Sequence, residues 1–272
     1  MISIGITPFV NDTFAFVGIA KELIKTNLKY STSYYDLEEL NFRSIQEDGD
    51  ILKISFNTLG KILDNYILLP VGSCLGFHNG PKIVAKRKFP LSELNNKRIG
   101  IPGTNTSSYM LFKLLTPAAR EELIFPYQEL PDQVLNDNVD CALTIHESRF
   151  QIEEMGLTEI GDLFDLWAER TAAPLPLGGI VAKRSLGAAT ISQIILDIKQ
   201  SLLMANKQNL GLNYAQEFSF NKDLRFIKKN IDLYVNEETL DLSSTGIGAI
   251  QTLLDLGYEA GFFPKPRHDW LF

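Results

Sequence analysis

Short runs of isoleucine, leucine and valine alternate with stretches of helical periodicity over most of the 272-residue chain. The pattern predicts strands at residues 2–6, 28–35, 51–55, 66–71, 83–85, 98–101, 123–127, 139–145 and 177–182. It predicts helices at 13–24, 58–63 and 132–136, one starting near 37, and one that follows the loop at 102–108 and ends at 115. The C-terminal part is predicted to be helical at 191–205, 214–218, 222–230 and 245–256. Alternating strands and helices indicate an α/β fold with mainly parallel sheets.

The alternation of strand and helix restarts near Ser92, which predicts two lobes, each a mainly parallel sheet flanked by helices, with a ligand cleft between them. In two segments an apolar run is followed by a basic residue, and we expect the chain to cross between the lobes there. These segments are Ile83-Val84-Ala85-Lys86 and Ile180-Val181-Ala182-Lys183. The predicted boundaries are 1–85 plus 183–272 for a larger, discontinuous lobe and 86–182 for a smaller one. Two crossings create a hinge, and a hinged cleft suits closure over a small molecule.

Composition and charge narrow the possible functions. A hydrophobic fraction of 45% and a charged fraction of 22% are those of an ordinary globular protein. The net charge of −7 argues against nucleic-acid binding, because no basic surplus neutralises phosphates. Cys74 and Cys141 stand outside any metal-ligand spacing, and no metal site is predicted. The chain shows neither an export signal nor a membrane-spanning run, so we expect a cytoplasmic protein without membrane insertion.

His146 is the strongest candidate for chemistry. It follows the apolar run 141–145 and precedes Glu147, Ser148 and Arg149. In open α/β sheets, ligands bind at loops after the carboxyl ends of strands, and histidine transfers protons near neutral pH. A surface histidine that caps the next helical turn is the alternative interpretation. Glu147 or Thr144 could orient the imidazole.

Three polar segments stand where a strand gives way to a helix: Asn11-Asp12, Lys53-Ile54-Ser55 and Thr106-Ser107-Ser108. Helix starts attract anions because their first N–H groups lack partners, so Lys53-Ile54-Ser55 and Thr106-Ser107-Ser108 are candidate sites for a carboxylate, while Asn11-Asp12 lies in a loop that we expect to line the cleft. Helix capping is the competing explanation for each segment, with Asn11 or Asp12 as the N-cap of a helix from Thr13. The hydroxyl segment lacks both the P-loop lysine and the GxGxxG pattern, which disfavours nucleotide binding.

The order and spacing of seven segments resemble the 1,4-dihydroxy-6-naphthoate synthase family of the futalosine route to menaquinone. The segments are Pro8 with Asn11-Asp12-Thr13-Phe14, Leu40-Asn41, Lys53-Ile54-Ser55, Gly76 with Gly80-Pro81, Ile101-Pro102-Gly103, Ile145-His146-Glu147-Ser148-Arg149 and Pro174-Leu175-Pro176-Leu177-Gly178-Gly179. The resemblance runs over residues 1 to about 185 and is weaker beyond. It departs from the family at Thr7, Phe9 and Val10, at Thr106-Ser107-Ser108, where the family usually has Thr-Thr-Ala, and at Ser73-Cys74 and His78 in the glycine loop.

The resemblance implies a fold similar to type II periplasmic binding proteins and a cofactor-independent lyase. The implied reaction converts cyclic dehypoxanthinyl futalosine to 1,4-dihydroxy-6-naphthoate, with His146 as the proton acceptor. The implied substrate-binding residues are Lys53, Ile54, Ser55, Thr106, Ser107 and Ser108, with Asn11, Asp12 and Arg149 as further candidates. The partner is thus a small carboxylate substrate. Two alternatives remain open: chorismate dehydratase of the same pathway, and a solute-binding protein without catalysis.

Overall fold

The computed structural model describes residues 1–145, 152–219 and 221–272 and divides the chain into two compact units. The first unit comprises Met1–Leu75 and Pro176–Phe272, and the second comprises Gly76–Leu175. The strands, in chain order, are β1 Ile2–Ile6, β2 Tyr30–Tyr34, β3 Ile51–Ser55, β4 Tyr66–Leu68, β5 Cys74–Gly76, β6 Lys82–Ala85, β7 Arg98–Ile101, β8 Glu121–Ile124, β9 Cys141–Thr144, β10 Thr158–Asp162 and β11 Leu175–Lys183.

The helices are distributed over both units. In chain order they are α1 Val10–Ala20, α2 Leu37–Ile45, α3 Phe56–Ile62, α4 Ser107–Leu115, α5 Leu130–Leu135, α6 Leu163–Thr171, α7 Ala188–Ala205, α8 Leu210–Phe218, α9 Leu224–Tyr234, α10 Glu237–Leu240 and α11 Ser244–Glu259. The predicted helical C-terminal part is therefore confirmed, as α7 to α11.

The sheet of the first unit is mixed. Its order is β2-β1-β3-β11-β4, with β5 paired to β11. β1 lies parallel to β2 and β3, whereas β11 is antiparallel to β3 and β4. The parallel neighbours β1 and β3 end at the same edge of the sheet, and their following segments start there.

Helix α1 lies at the centre of the first unit, and its residues from Val10 to Ile19 are all buried. One side packs with α7 against the sheet, and another contacts α8 and α9. Gly18 allows close approach to α7, because a Cβ there would lie 2.9 Å from the Cα of Ser201. Ser201 fixes this contact by donating to the Ala15 carbonyl at 2.7 Å and accepting from the Gly18 N–H at 2.9 Å.

The sheet of the second unit has the order β10-β6-β9-β7-β8. β7 is parallel to β8 and β9, while β6 is antiparallel to β9 and β10. Apolar side chains of β6 and β9 pack with those of α5 in one cluster that includes Val84, Leu130 and Ala142. Within this unit as well, two parallel neighbours, β7 and β9, end at one edge of the sheet.

The structure corrects two expectations about the fold. The sheets are mixed rather than mainly parallel, because β6 and β11 run antiparallel to their neighbours. The boundaries fall at 75/76 and 175/176 rather than at 85/86 and 182/183. The reason is strand pairing: β6 pairs within the second sheet and β11 within the first, so each strand belongs wholly or nearly wholly to one unit.

Candidate functional site

Polar side chains gather at the edge of the first sheet where β1 and β3 end. Asp12, in the first turn of α1, accepts a hydrogen bond from the Thr7 hydroxyl at 2.5 Å, and Lys53 of β3 lies 2.9 Å from its other carboxylate oxygen. Lys53 and Ser55 occupy alternate positions of β3 and share one face, while Ile54 points to the opposite face and is fully buried. The structure thus brings the first two predicted segments together, without a side-chain role for Ile54.

Lys53 and Asp12 form a buried ion pair, with side chains only 8% and 4% exposed. Lys53 Nζ also lies 3.4 Å from the carbonyl oxygen of Gly72. Burial alone would lower the pKa of Lys53, but the charge of Asp12, the neighbouring Cys74 and the hydrogen bond to Asp12 together outweigh it, and the pKa is raised above its ordinary value. Lys53 is therefore a cation at neutral pH and not the solvated surface charge expected of a lone lysine.

The capping interpretation of Asn11, Asp12 and Ser55 is wrong. Helix α1 begins at Val10, not at Thr13, and its N-cap Phe9 makes no side-chain capping bond. Ser55 holds the N-cap position of α3 but also makes no capping bond. The Asp12 carboxylate is consequently engaged with Thr7 and Lys53 instead of with backbone N–H groups.

Asn41 of α2 ties the end of β3 in place. Its side-chain oxygen accepts from the Ser55 backbone N–H at 2.8 Å, and its amide nitrogen donates to Ser55 Oγ at 3.2 Å and to Glu38 at 3.0 Å. The Ser55 N–H, a donor that the sequence offered to a ligand, is thus already bonded. The hydroxyl hydrogen of Ser55 is its remaining donor.

A narrow pocket beside the ion pair, here called the ion-pair pocket, lies wholly within the first unit. It is lined by Asn11, Asp12, Ala15, Phe16, Lys53, Gly72, Ser73, Cys74, Tyr234, Val235 and Thr239. Burial raises the pKa of the Cys74 thiol to about 11, which keeps it neutral. In the sequence, Ser73 stands out only as a departure from the family in the glycine loop. Its position in this pocket depends on the fold of that loop, which no local sequence pattern predicts.

The 72–75 loop is fastened to the C-terminal helices of the same unit. Gly72, with a φ of +81°, donates its N–H to the Thr239 carbonyl at 2.7 Å. The Asn236 side chain donates to the Leu75 carbonyl at 3.2 Å. These bonds hold Ser73 and Cys74 against α1 and β3, so part of the site is built by the region where the family resemblance is weakest.

In the hydroxyl segment of the second unit, Thr106 caps a helix, whereas Ser107 and Ser108 lie in its first turn. Thr106 is the N-cap of α4: its Oγ1 accepts from the Tyr109 N–H at 3.2 Å and donates to the Gly103 carbonyl at 2.8 Å. The expectation that one hydroxyl caps this helix is confirmed. Ser107 and Ser108 lie in the first turn and are buried, and Ser108 Oγ is 3.1 Å from Thr106 Oγ1.

Thr144 ends β9, the parallel neighbour of β7, so the chain leaves both strands at the edge that carries the hydroxyl segment. The Thr144 hydroxyl lies 3.4 Å from the Lys82 carbonyl. The predicted residues His146, Glu147 and Arg149 lie outside the described residues. Their roles stay predictions.

Two general properties of the described part of the chain bear on function. Across residues 1–145, 152–219 and 221–272, no group of three or more His, Cys, Asp or Glu side chains is placed to hold a metal ion. Over the same residues, no helix combines the length and the apolar character needed to cross a membrane.

Comparison with known proteins first defines the class. The chain superposes on the alkanesulfonate-binding protein of Xanthomonas axonopodis pv. citri, solved with bound MOPS, with a TM-score of 0.74 at 12% identity, covering all of this chain and 97% of that one. A Candida albicans protein described as having the generic periplasmic binding protein fold superposes with a TM-score of 0.67 at 12% identity over 98% of this chain and 97% of that one. The fold is therefore that of periplasmic-binding-protein-like α/β proteins, and helices pack against both sheets. A solved protein from Archaeoglobus fulgidus is more similar, with a TM-score of 0.91 and 28% identity over 96% of this chain and 98% of that one.

The family model for menaquinone biosynthesis matches residues 2–259, and the chain belongs to this family. One relative, from Streptomyces coelicolor, is named 1,4-dihydroxy-6-naphthoate synthase. It is 30% identical over 276 residues, which cover 99% of this chain and 97% of the relative. Both comparisons agree with the resemblance found in the sequence.

Proposed function

We propose that this protein is a 1,4-dihydroxy-6-naphthoate synthase that converts cyclic dehypoxanthinyl futalosine to 1,4-dihydroxy-6-naphthoate. The observation that carries the proposal is the 30% identity to a relative of that name over nearly the full length of both chains. The match to the menaquinone biosynthesis family supports it. A role in biosynthesis also favours the cytoplasmic location expected from the sequence.

In the proposed mechanism His146 is the general base of a lyase. It accepts a proton from a carbon or hydroxyl of the spiro-fused substrate; a carbon–carbon bond then breaks, the ring aromatises and a sugar-derived fragment leaves. One well-placed base contributes about a hundredfold to ten-thousandfold to such a rate. The end of β9 at Thr144, on the same sheet edge as the hydroxyl segment, supports a site at this point of the chain.

The substrate carboxylate is proposed to bind hydroxyl groups at helix starts. Ser107 and Ser108 stand in the first turn of α4, where the helix dipole favours an anion. Ser55, at the start of α3, is a proposed substrate contact through its hydroxyl hydrogen, since its N–H is bonded to Asn41. Arg149 and Asn11 remain proposed substrate contacts. Asp12 is proposed to act on the substrate indirectly, by holding the Lys53 cation, because its own carboxylate would repel an anionic ligand.

Incubation of the purified protein with cyclic dehypoxanthinyl futalosine tests the function directly. Product formation, followed by mass and absorbance, is expected without added cofactor. Chorismate serves as the competing substrate: its dehydration would identify the sibling enzyme of the pathway instead. Tight binding of the futalosine derivative without any turnover would favour a solute-binding protein.

A further inference from the structure

The ion-pair pocket contains two buried polar atoms whose hydrogen-bonding capacity the protein leaves unused. Asn11 is 7% exposed and Ser73 is fully buried, and among the described residues neither Asn11 Oδ1 nor Ser73 Oγ has a hydrogen-bond partner. Both residues line the same pocket. A buried polar atom without a partner costs free energy, so two of them facing one pocket indicate a ligand group that bonds to both.

The neighbouring bonds fix which chemical group fits. The Asn11 amide nitrogen donates to Asp12 Oδ1 at 3.3 Å, which leaves the oxygen of this pocket-lining side chain as an unused acceptor. The Ser73 hydroxyl can donate or accept. A carboxylate only accepts, so it would repel Asn11 Oδ1 and the Asp12 carboxylate. An alcohol donates to Asn11 Oδ1 and accepts from Ser73 at the same time.

Size and electrostatics point to the same group. The free space of the pocket is about that of one water molecule, which matches a hydroxyl and excludes a ring or a carboxylate. Lys53 and Asp12 neutralise each other 2.9 Å apart, so the pocket carries no net charge that would call for a charged ligand. The pocket is not an enclosed cavity, and two of its lining residues, Asn11 and Lys53, remain 7% and 6% exposed.

We propose that Asn11 and Ser73 form a specificity site for an alcohol hydroxyl on the sugar-derived part of the substrate. This inference rests on the proposed function and extends it: the carboxylate and the hydroxyl are recognised by different residues. Asn11 Oδ1 accepts the hydroxyl hydrogen, and Ser73 Oγ donates to the hydroxyl oxygen. The Lys53–Asp12 pair holds Asn11 in the orientation that this requires, through the bond from its amide nitrogen.

A matched pair of serine-to-alanine variants tests the proposal. Ser73 and Ser201 are both fully buried in the first unit, but Ser201 has protein partners at both its donor and acceptor sites, whereas Ser73 has none. Ser73→Ala should raise KM about tenfold and leave the melting temperature unchanged, since no internal bond is lost. Ser201→Ala should lower the melting temperature by about 4 °C and leave KM unchanged.

A substrate analogue that lacks the sugar-derived hydroxyl supplies the second measurement. On the unaltered protein its KM should rise about tenfold, and Ser73→Ala should add no further increase for this analogue. Equal KM values for the substrate with the unaltered protein and the Ser73→Ala variant overturn the specificity site, as does an additive effect of variant and analogue. If the unaltered protein shows no turnover at all, the proposed function itself fails, an outcome separate from either of these.

Discussion

At the scale of single residues, the site depends on contacts between segments that are distant in sequence. Lys53 and Asp12 belong to segments that are distant in sequence. From the sequence alone Lys53 would be expected to be solvated, as a lone lysine usually is. The two residues meet because β1 and β3 are parallel neighbours, so the segment after β1 lies beside the end of β3. The residue types at this edge were predictable from the sequence, but the ion pair and the pocket position of Ser73 were not, because both depend on tertiary contacts.

Asp12→Ala should destabilise the protein by about 3–5 kcal/mol, because the buried Lys53 cation loses its partner. The control is Asp232→Ala, which removes the exposed partner of Lys228 and should cost less than about 1 kcal/mol. Urea unfolding at pH 7 measures both. Similar costs for the two variants would show that the buried pair contributes no more than a surface pair.

The loss of stability in Asp12→Ala should depend on pH, because the pKa of Lys53 in the unaltered protein is raised above the ordinary value of 10.5. A raised lysine pKa stabilises the folded state below the unfolded pKa, and this contribution disappears as pH rises through the folded value. In Asp12→Ala burial instead lowers the Lys53 pKa, so the difference in unfolding free energy between the two proteins should be larger at pH 7 than above pH 10.5. A difference that stays constant to high pH would contradict the assignment.

At the scale of elements, periodicity located the helices better than the strand directions. The predicted start of a helix near 37 and the predicted helix at 191–205 match α2 and α7 closely, because the apolar faces of these helices repeat regularly. The pattern did not reveal β10 and α6, whose residues 158–171 are polar at many positions and only partly buried. The antiparallel direction of β11 was also hidden, since a buried apolar strand has the same pattern in either direction.

The assignment of Thr106 as the cap of α4 separates stability from binding within one segment. Thr106→Ala should lower the unfolding free energy by about 1 kcal/mol. Thr106→Ser should keep most of the stability of the unaltered protein, because the serine hydroxyl can still accept from the Tyr109 N–H. Ser107→Ala and Ser108→Ala should instead weaken product binding. Urea unfolding beside calorimetric titration with 1,4-dihydroxy-6-naphthoate distinguishes the two effects. Loss of stability without loss of affinity in the serine variants would move the carboxylate site elsewhere.

Replacing either of two glycines of α11, Gly246 and Gly248, by alanine should have opposite effects on stability. At Gly248 a Cβ would meet no heavy atom within 4 Å, so Gly248→Ala should stabilise the helix by about 0.5–1 kcal/mol. At Gly246 a Cβ would lie 2.3 Å from the carboxylate of Glu238, which is held by bonds to the hydroxyl and N–H of Ser243. Gly246→Ala should therefore destabilise the protein despite its helical position. Thermal unfolding of both variants measures the difference, and a stabilising effect at Gly246 would show that Glu238 moves freely.

At the scale of the whole molecule, the fold alone does not decide between binding and catalysis. A fold shared with an alkanesulfonate-binding protein at 12% identity carries no information about reaction, since unrelated functions occupy the same architecture. Membership of the menaquinone biosynthesis family and the full-length similarity to a named synthase favour an enzyme. What separates an enzyme from a binding protein of this fold is a group that transfers a proton, and the sequence offers His146 for that role.

The chain provides its own control for this role, because it contains only three histidines, His78, His146 and His268. His146→Ala should retain affinity for the substrate while turnover falls at least about a hundredfold, since the loss concerns a proton transfer and not a binding contact. His268→Ala, at an exposed position of the first unit, should leave both quantities unchanged. Near-normal turnover by His146→Ala, or an equal loss in His268→Ala, would remove His146 as the base.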